Sequence, residues 1–349
     1  MNDSNLTATA TPFPPLSRAK QTELTAWIAT TLTISFVGAL NNILTLRVTR
    51  SAKLGKAGVN LLIFHFVAIN LLMCLVTLPI AIFIMLAKRD GWFLPMTTCG
   101  YFNALFTTNL SVINWSDAGL ALNRLVALYL PHRYKAWSST AANRAIIMGS
   151  WLTSLGIALP FTFSAGGQGT ILSVLGLCNI TATGPLGAFL SSMITYVSYA
   201  ISGTGSLLIL WKCFGFSRLR TRDVVPDRSG NAAAKYRTTQ RRLNMAKMLL
   251  LTFLWNGICA FPAYVINRIF PYLYGTNPVS VMWVRTLTVC QYAFTPVSLH
   301  VHQFSDPFIV LKPCDVWLNV ATYSELFVGT CNASCCRRIP NTGEVSKTP

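Results

Sequence analysis

The sequence predicts an all-α membrane protein, a seven-transmembrane helix bundle, on three observations. Over 349 residues the chain is 52% hydrophobic and only 11% charged, whereas a soluble domain carries about 25% charged residues. Seven apolar stretches, roughly 26–48, 59–86, 97–130, 144–163, 186–212, 245–270 and 279–303, are each long enough to cross a ~30 Å hydrocarbon core. Basic residues are distributed unevenly between those stretches. The net charge of +18 would suit nucleic acid if it were gathered on one surface, but here it follows the loops.

Residues 1–25 are polar and rich in Pro and Thr, with no apolar run before Trp27, and read as an extracellular amino-terminal tail. No cleavable signal peptide is visible, so the first span is expected to direct insertion. Residues 26–310 form the expected seven-span domain and 311–349 a cytoplasmic tail. An odd number of spans puts the termini on opposite sides. Arg47, Arg50, Lys53 and Lys56 flank the first loop, Arg133 and Lys135 lie in the third, and a cluster from Lys212 to Lys247 fills the fifth. With the tail, this face holds 22 of the 28 basic residues. The positive-inside rule therefore places the amino terminus outside and the carboxyl terminus in the cytosol. Glycosylation sequons at Asn2, Asn5 and Asn179 fall on the outer side, where they can be modified. Those at Asn109, Asn114 and Asn332 fall in the membrane or cytosol and should be silent.

No HExxH or GxSxG arrangement, zinc-spaced Cys pair or glycine-rich phosphate loop occurs. No enzyme activity, cofactor or metal site is expected.

The stretch from Cys99 to Pro131 organises the chain. Cys99, then Asn123-Arg124-Leu125 with Arg124 twenty-five residues on, then Pro131 and Tyr134, resembles the third helix of a rhodopsin-like (class A) G-protein-coupled receptor. Further landmarks match helix by helix: Asn42 in span one, Asn70 and Pro79 in span two, Trp151 and Pro160 in span four, Cys259 and Pro262 in span six, Pro296 in span seven. Within that family, Asn123-Arg124, the run Gly166-Gly167-Gln168-Gly169 and Arg241-Arg242-Leu243 are similar to the orphan group that includes Moody and Trapped in endoderm.

The resemblance implies a multi-pass plasma-membrane receptor for an extracellular ligand, with a heterotrimeric G protein and arrestin as partners and no nucleic acid. It implies that Arg124 meets the G protein when the sixth helix swings outward, beside Asn123, Leu125, Pro131 and Tyr134, with Arg241 and Arg242 at the root of span six. The plain alternative for Arg124 is an arginine that snorkels to the headgroups. Cys99 and Cys178 are the only two of ten cysteines on the oxidising side, so a bridge would tie the outer loop over the bundle mouth. The alternative is two thiols. Cys335-Cys336-Arg337-Arg338 resembles a palmitoylation site beside basic residues.

Departures from the family pattern are numerous. Asn123 replaces the usual acid. Ala260, followed by Phe261, stands where a tryptophan is expected two residues before Pro262, and Asn256 replaces an aromatic. Span five has only Pro185, near its start, and the seventh-helix motif reads Thr295-Pro296-Val297-Ser298-Leu299. Pro262 and Pro296 still offer places to bend.

Inside the membrane an ionisable group normally faces the bundle interior. Asp117 lies two turns before Arg124, and Asn70 replaces the family's sodium-binding aspartate. A polar core of Asp117 with Asn70, Asn109 and Asn114 is expected; the alternative is a protonated Asp117 bonded to a carbonyl. Asn114 and Asn256 are expected to hydrogen-bond across the bundle as a switch. Phe106 stands where aminergic receptors carry an aspartate, and span seven has no lysine for a retinal Schiff base. What remains is an apolar, hydroxyl-bearing cup of Asn103, Phe106, Thr107, Tyr264, Asn267 and Arg285. Its guanidinium suits a carboxylate or phosphate, on a lipid or peptide. A non-signalling decoy or scaffold receptor and a seven-span transporter are the rival classes.

Overall fold

The computed structural model describes residues 16–51, 59–92, 95–172, 175–220, 250–266, 269–270 and 272–303. Asn2, Asn5, Asn267, Arg241, Arg242, Cys335 and Cys336 lie outside the described residues, as do the side chains of Pro131 and Pro296.

Helix α1 (Arg18–Ser51) precedes α2 (Val59–Leu72), a π-helical turn (Met73–Thr77) and α3 (Leu78–Arg89), which together form one rod. The helix α4 (Met96–Tyr129) is followed by the short α5 (Pro131–Trp137) and by α6 (Thr140–Thr162). A hairpin of β1 (Gly167–Leu172) and β2 (Leu177–Ala182) leads into α7 (Gly184–Ser192), a second π turn (Met193–Val197) and α8 (Ser198–Arg220). The remaining helices are α9 (Leu250–Ile266), α10 (Leu273–Thr276) and α11 (Pro278–Gln303). Among the described residues, each of the seven expected apolar stretches is mainly helix. Four of the helical rods are apolar and long enough on hydropathy alone to cross a membrane. The helix α4 instead carries buried Asn103, Thr107, Asn109, Ser111, Asn114 and Ser116, because it is the central rod, packed against α2, α6 and α8. Phe36, Leu152, Trp211 and Ile258, each more than 60% exposed, point apolar surface outward from four different helices. Water would penalise such a surface and acyl chains would not.

Small residues set the closest approaches. A Cβ on Gly38 would stand 2.6 Å from that of Ala293, so α1 and α11 touch through a glycine. One turn on, Asn42 Nδ2 donates to the Gly38 carbonyl at 2.7 Å and to that of Tyr292 at 3.2 Å. The landmark asparagine of span one is therefore an inter-helix tie.

The two π turns have local causes. Pro79 lacks an N–H, and the ladder before it shifts: Leu78 N–H donates to Met73 rather than to Cys74. The Cys74 carbonyl, left without either helical donor, accepts from Ser35 Oγ on α1 at 2.5 Å. In the second turn, Ile194 O accepts from Ser198 Oγ and from Asn114 Nδ2 of α4, both at 3.0 Å. This π turn stands where span five lacks its central proline.

The hairpin, in a region for which no strand was expected, pairs antiparallel from Gly167↔Ala182 to Leu172↔Leu177. Gly166, at φ +88°, lets the chain turn out of α6, and Gly167 brings β1 against Phe161, which a Cβ there would approach to 2.9 Å. A Cys99–Cys178 disulfide, with Cα atoms 5.3 Å apart, fastens β2 to the start of α4. Leu175 and Leu177 then bury against Leu24 and Trp27 of α1, Met85 of α3 and Val279 of α11.

At the other end, Pro131 disfavours helix in Leu130 (φ −124°, ψ 61°), which ends α4, and then supplies the first residue of α5. Ser139 caps α6 by accepting from the Ala142 N–H at 3.2 Å.

Candidate functional site

A cavity of about 260 Å³ opens at the hairpin end of the bundle, walled by α1, α3, α4, α9 and α11 and roofed by β2. Asn103, Phe106, Thr107, Tyr264 and Arg285 all line it. Phe102, Leu110, Ile82, Met282 and Val289 make most of the surface apolar. Asn103 also donates to the Asn179 carbonyl at 3.1 Å, so one wall is tied to the roof beside the disulfide. Asn179 is itself half-buried and lines the cavity. On the opposite wall Trp27 Nε1 donates to Met282 O at 2.8 Å and Thr286 Oγ1 at 2.9 Å, fastening α1 to α11. Trp27 and Thr31 were missed in the sequence because a tryptophan and a threonine in a first span are unremarkable there.

Below the cavity the polar residues divide in a way the sequence did not foretell. Asn70 donates to Phe66 O of its own helix at 2.8 Å, and Asn109 to Thr77 Oγ1 at 3.0 Å. Neither belongs to the group around Asp117, so the four-residue core expected for Asp117, Asn70, Asn109 and Asn114 is corrected. Asp117 instead packs with Asn114, Ser198, Tyr199, Ser202, Asn256 and Gln291, within hydrogen-bonding reach of Ser202 and Asn256. The reason is register: Asn70 stands on α2, whereas Asp117 faces α8, α9 and α11. Hydroxyls such as Ser202 give no distinct sequence signal, since small polar residues are common wherever membrane helices pack.

Asn114 and Asn256 are not partnered to each other. Asn114 engages the π turn of Ile194, and Asn256 Oδ1 accepts from Thr295 Oγ1 of α11 at 3.0 Å. Thr295, the residue in place of the family's asparagine, thus keeps a link between α9 and α11. Ala260 is buried and the neighbouring Phe261 is 68% exposed, so the aromatic beside the missing tryptophan faces outward. Tyr264 stands at the junction of the two regions: it lines the cavity, reaches Asn114 and Thr195, and meets the Tyr199 ring edge-on at 6.2 Å. Tyr199 in turn accepts from Gln291 Nε2 at 3.3 Å. Pro262, half-buried, lies within α9 between these contacts.

At the end remote from the hairpin, Asn123 and Asn143 are both buried. Asn123 Nδ2 donates to Asn143 Oδ1 at 3.2 Å, and Asn143 Nδ2 donates to the carbonyls of Trp137 and Ser139. The residue replacing the acid therefore ties the α5–α6 connection to α4. Arg124 and Leu125 follow it on α4, with Tyr134 near the guanidinium. A second fastening joins α4 to α8. Tyr129 donates to Leu208 O at 2.9 Å, while Lys212 Nζ donates to Leu128 O at 2.8 Å and sits 4.1 Å from the Tyr129 ring centroid. Lys212 thereby caps a carbonyl that the end of α4 leaves without a helical donor.

These features form a roofed apolar cavity with few polar groups, a buried polar junction beneath it, and a basic face at the far end of the same central helix. A family model described as 7 transmembrane receptor (rhodopsin family) matches residues 41–309. No curated protein matches the chain.

Proposed function

Since the chain belongs to the rhodopsin family of seven-transmembrane receptors, a receptor family and not one of enzymes, we propose that it couples an extracellular ligand to a heterotrimeric G protein. The amino terminus lies outside and the α5-bearing end faces the cytosol, where Asn123, Arg124, Leu125, Pro131, Tyr134, Arg241 and Arg242 meet the G protein and, later, arrestin. The ligand enters the cup of Asn103, Phe106, Thr107, Tyr264, Asn267 and Arg285, with an acidic group at Arg285. Membership does not favour the transporter or decoy readings.

The observation that carries this reading is the double role of Tyr264, which lines the cavity and reaches the polar junction of Asn114 and Tyr199. A ligand that moves Tyr264 changes contacts among α4, α8 and α9, and so biases one helix arrangement over another. Asp117 and Asn256 extend the junction, and Thr295 carries it to α11. Asn42 and Asn109 tie helices around it, Asn70 donates within its own helix, and Pro262 and Pro296 mark the places where α9 and α11 can bend. Asn123-Arg124-Leu125, the glycines at 166–169 and Arg241-Arg242-Leu243 favour placing the chain beside the group that includes Moody and Trapped in endoderm. Asn2, Asn5 and Asn179 are its glycan acceptors and Cys335 and Cys336 its palmitoylation sites.

The test is nucleotide exchange on a panel of G proteins with full-length receptor in lipid nanodiscs. Wild type is expected to accelerate exchange and Arg124→Ala to lose at least tenfold of that acceleration. Equal exchange by both proteins, or none by wild type on any G protein, sinks the reading. Flux of a ligand with no nucleotide effect would replace it with a transporter.

A further inference from the structure

Between Asp117 and Asp223 the chain has no acidic residue, yet it carries eight basic ones. Asp223 and Asp227 each stand beside an arginine of their own, Arg222 and Arg228. Of the eight, Lys212 is used to fasten α8 to α4. Arg133 on α5 and Arg144 on α6 are both exposed, and neither makes a hydrogen bond or ion pair among the described residues. Two guanidinium groups are thus held at one end of the bundle with no carboxylate beside them.

The corner that carries these arginines is rigid without their help. Asn143 Nδ2 donates to the Trp137 carbonyl at 3.2 Å and to that of Ser139 at 2.9 Å, while Ser139 Oγ caps α6. Trp137 follows Arg133 by four residues, so the two share one face of α5, and Trp137 is 40% exposed. Arg144 precedes Met148 by four residues and Leu152 by eight, which puts it at the end of an outward stripe of α6 on which both apolar side chains are exposed. Such a stripe faces acyl chains. Arg144 lies one turn, about 6 Å, beyond Met148, at the depth where the headgroups begin, and an exposed tryptophan suits the same interface.

We infer that the α5–α6 corner is a binding site for a phospholipid whose headgroup carries phosphomonoesters. Arg133 and Arg144 take the phosphates, Trp137 lies at the level of the glycerol, and the acyl chains run along Met148 and Leu152. A guanidinium fork matches phosphate oxygens in pairs, and a headgroup of several charges answers two cations at once. A soluble anion would leave the apolar stripe unused. The site presupposes that the α5-bearing end faces the cytosol, whose leaflet carries the anionic lipids.

The probes are phosphatidylinositol bisphosphate, phosphatidylserine and soluble inositol trisphosphate, added to full-length receptor in mixed micelles with phosphatidylcholine; retained lipid is counted by native mass spectrometry. Wild type is expected to retain the bisphosphate about tenfold over phosphatidylserine supplied at equal total charge, as charge-assisted hydrogen bonds allow. The double variant Arg133→Gln, Arg144→Gln should bring that ratio to about one, and inositol trisphosphate at equal concentration should not displace the lipid. Without the bisphosphate, the double variant should unfold at the wild-type temperature. No preference in wild type, or an unaltered preference in the double variant, overturns the site. Displacement by inositol trisphosphate would overturn the lipid in favour of a soluble polyanion, and clearly earlier unfolding of the double variant would show that the arginines serve the fold instead. Nucleotide exchange dependent on Arg124 is measured in phosphatidylcholine alone, so the receptor reading stands or falls separately.

Discussion

Asn114 Nδ2 lies 3.0 Å from the carbonyl oxygen of Ile194, joining the middle of α4 to the π turn that precedes α8. A π turn leaves a carbonyl without its helical donor, and a side chain on the facing helix can supply one. In this chain that pairing falls within span five, which has no central proline. Because Asn114 also reaches Tyr264, the bend and the cavity share one side chain.

Asn114→Leu should therefore do two things. It should cost about 1 kcal/mol of stability, since Ser198 still donates to Ile194. It should also change basal nucleotide exchange, because α4, α8 and α9 lose a common partner. Thermal unfolding in nanodiscs and a basal exchange assay check the two parts; unchanged exchange would remove the junction from the mechanism.

Ser35→Ala should destabilise the bundle by about 1–2 kcal/mol, because it strips the donor from the buried Cys74 carbonyl. Pro79→Ala should soften that loss in the double variant. The alanine restores an N–H that the shifted ladder can direct to Cys74. Unfolding temperatures of the two single variants and the double variant give the coupling directly.

Cys99→Ser should remove the fastening of β2 to α4. The bridge closes 79 residues of chain, which in the chain-entropy account corresponds to ~4 kcal/mol. Surface display should fall sharply, and ligand binding in the residual protein should weaken, since the cavity roof is the strand that carries Cys178. Near-normal display with intact binding would show the roof to be held by its apolar cluster alone.

Asn123→Asp should lower basal nucleotide exchange by severalfold. The carboxylate restores an acid beside Arg124, and a charge-assisted bond in a buried setting restrains a guanidinium far more than an amide does. The same change removes the donor to Asn143, so stability should fall by about 1 kcal/mol. Asn143→Ala, which removes the amide pair and the bonds to the Trp137 and Ser139 carbonyls but places no acid beside Arg124, should show at least that stability loss without the fall in exchange.

The fold class and the disulfide were legible in the sequence, because a bilayer constrains length, hydropathy and charge more tightly than water does, whereas the first helix begins at Arg18, inside the stretch read as the amino-terminal tail. Asn103, Phe106, Thr107, Tyr264 and Arg285 line one cavity, while Asn267 lies outside the described residues. The buried polar side chains of α4 mark it as the central rod, packed against α2, α6 and α8.

Tertiary structure alone decided who partners whom. Sequence put Asn70 and Asn109 with Asp117, but helix rotation sends them to Phe66 and Thr77 and brings Ser202 and Asn256 in their stead. It also decided that a π turn interrupts the fifth span, that Phe161 and Thr181 leave no room for a side chain at Gly167, and that the Tyr292 hydroxyl meets no donor or acceptor among the described residues. Periodicity and hydropathy are properties of one segment, whereas a hydrogen bond between helices depends on the rotation and depth of both, which no single segment encodes.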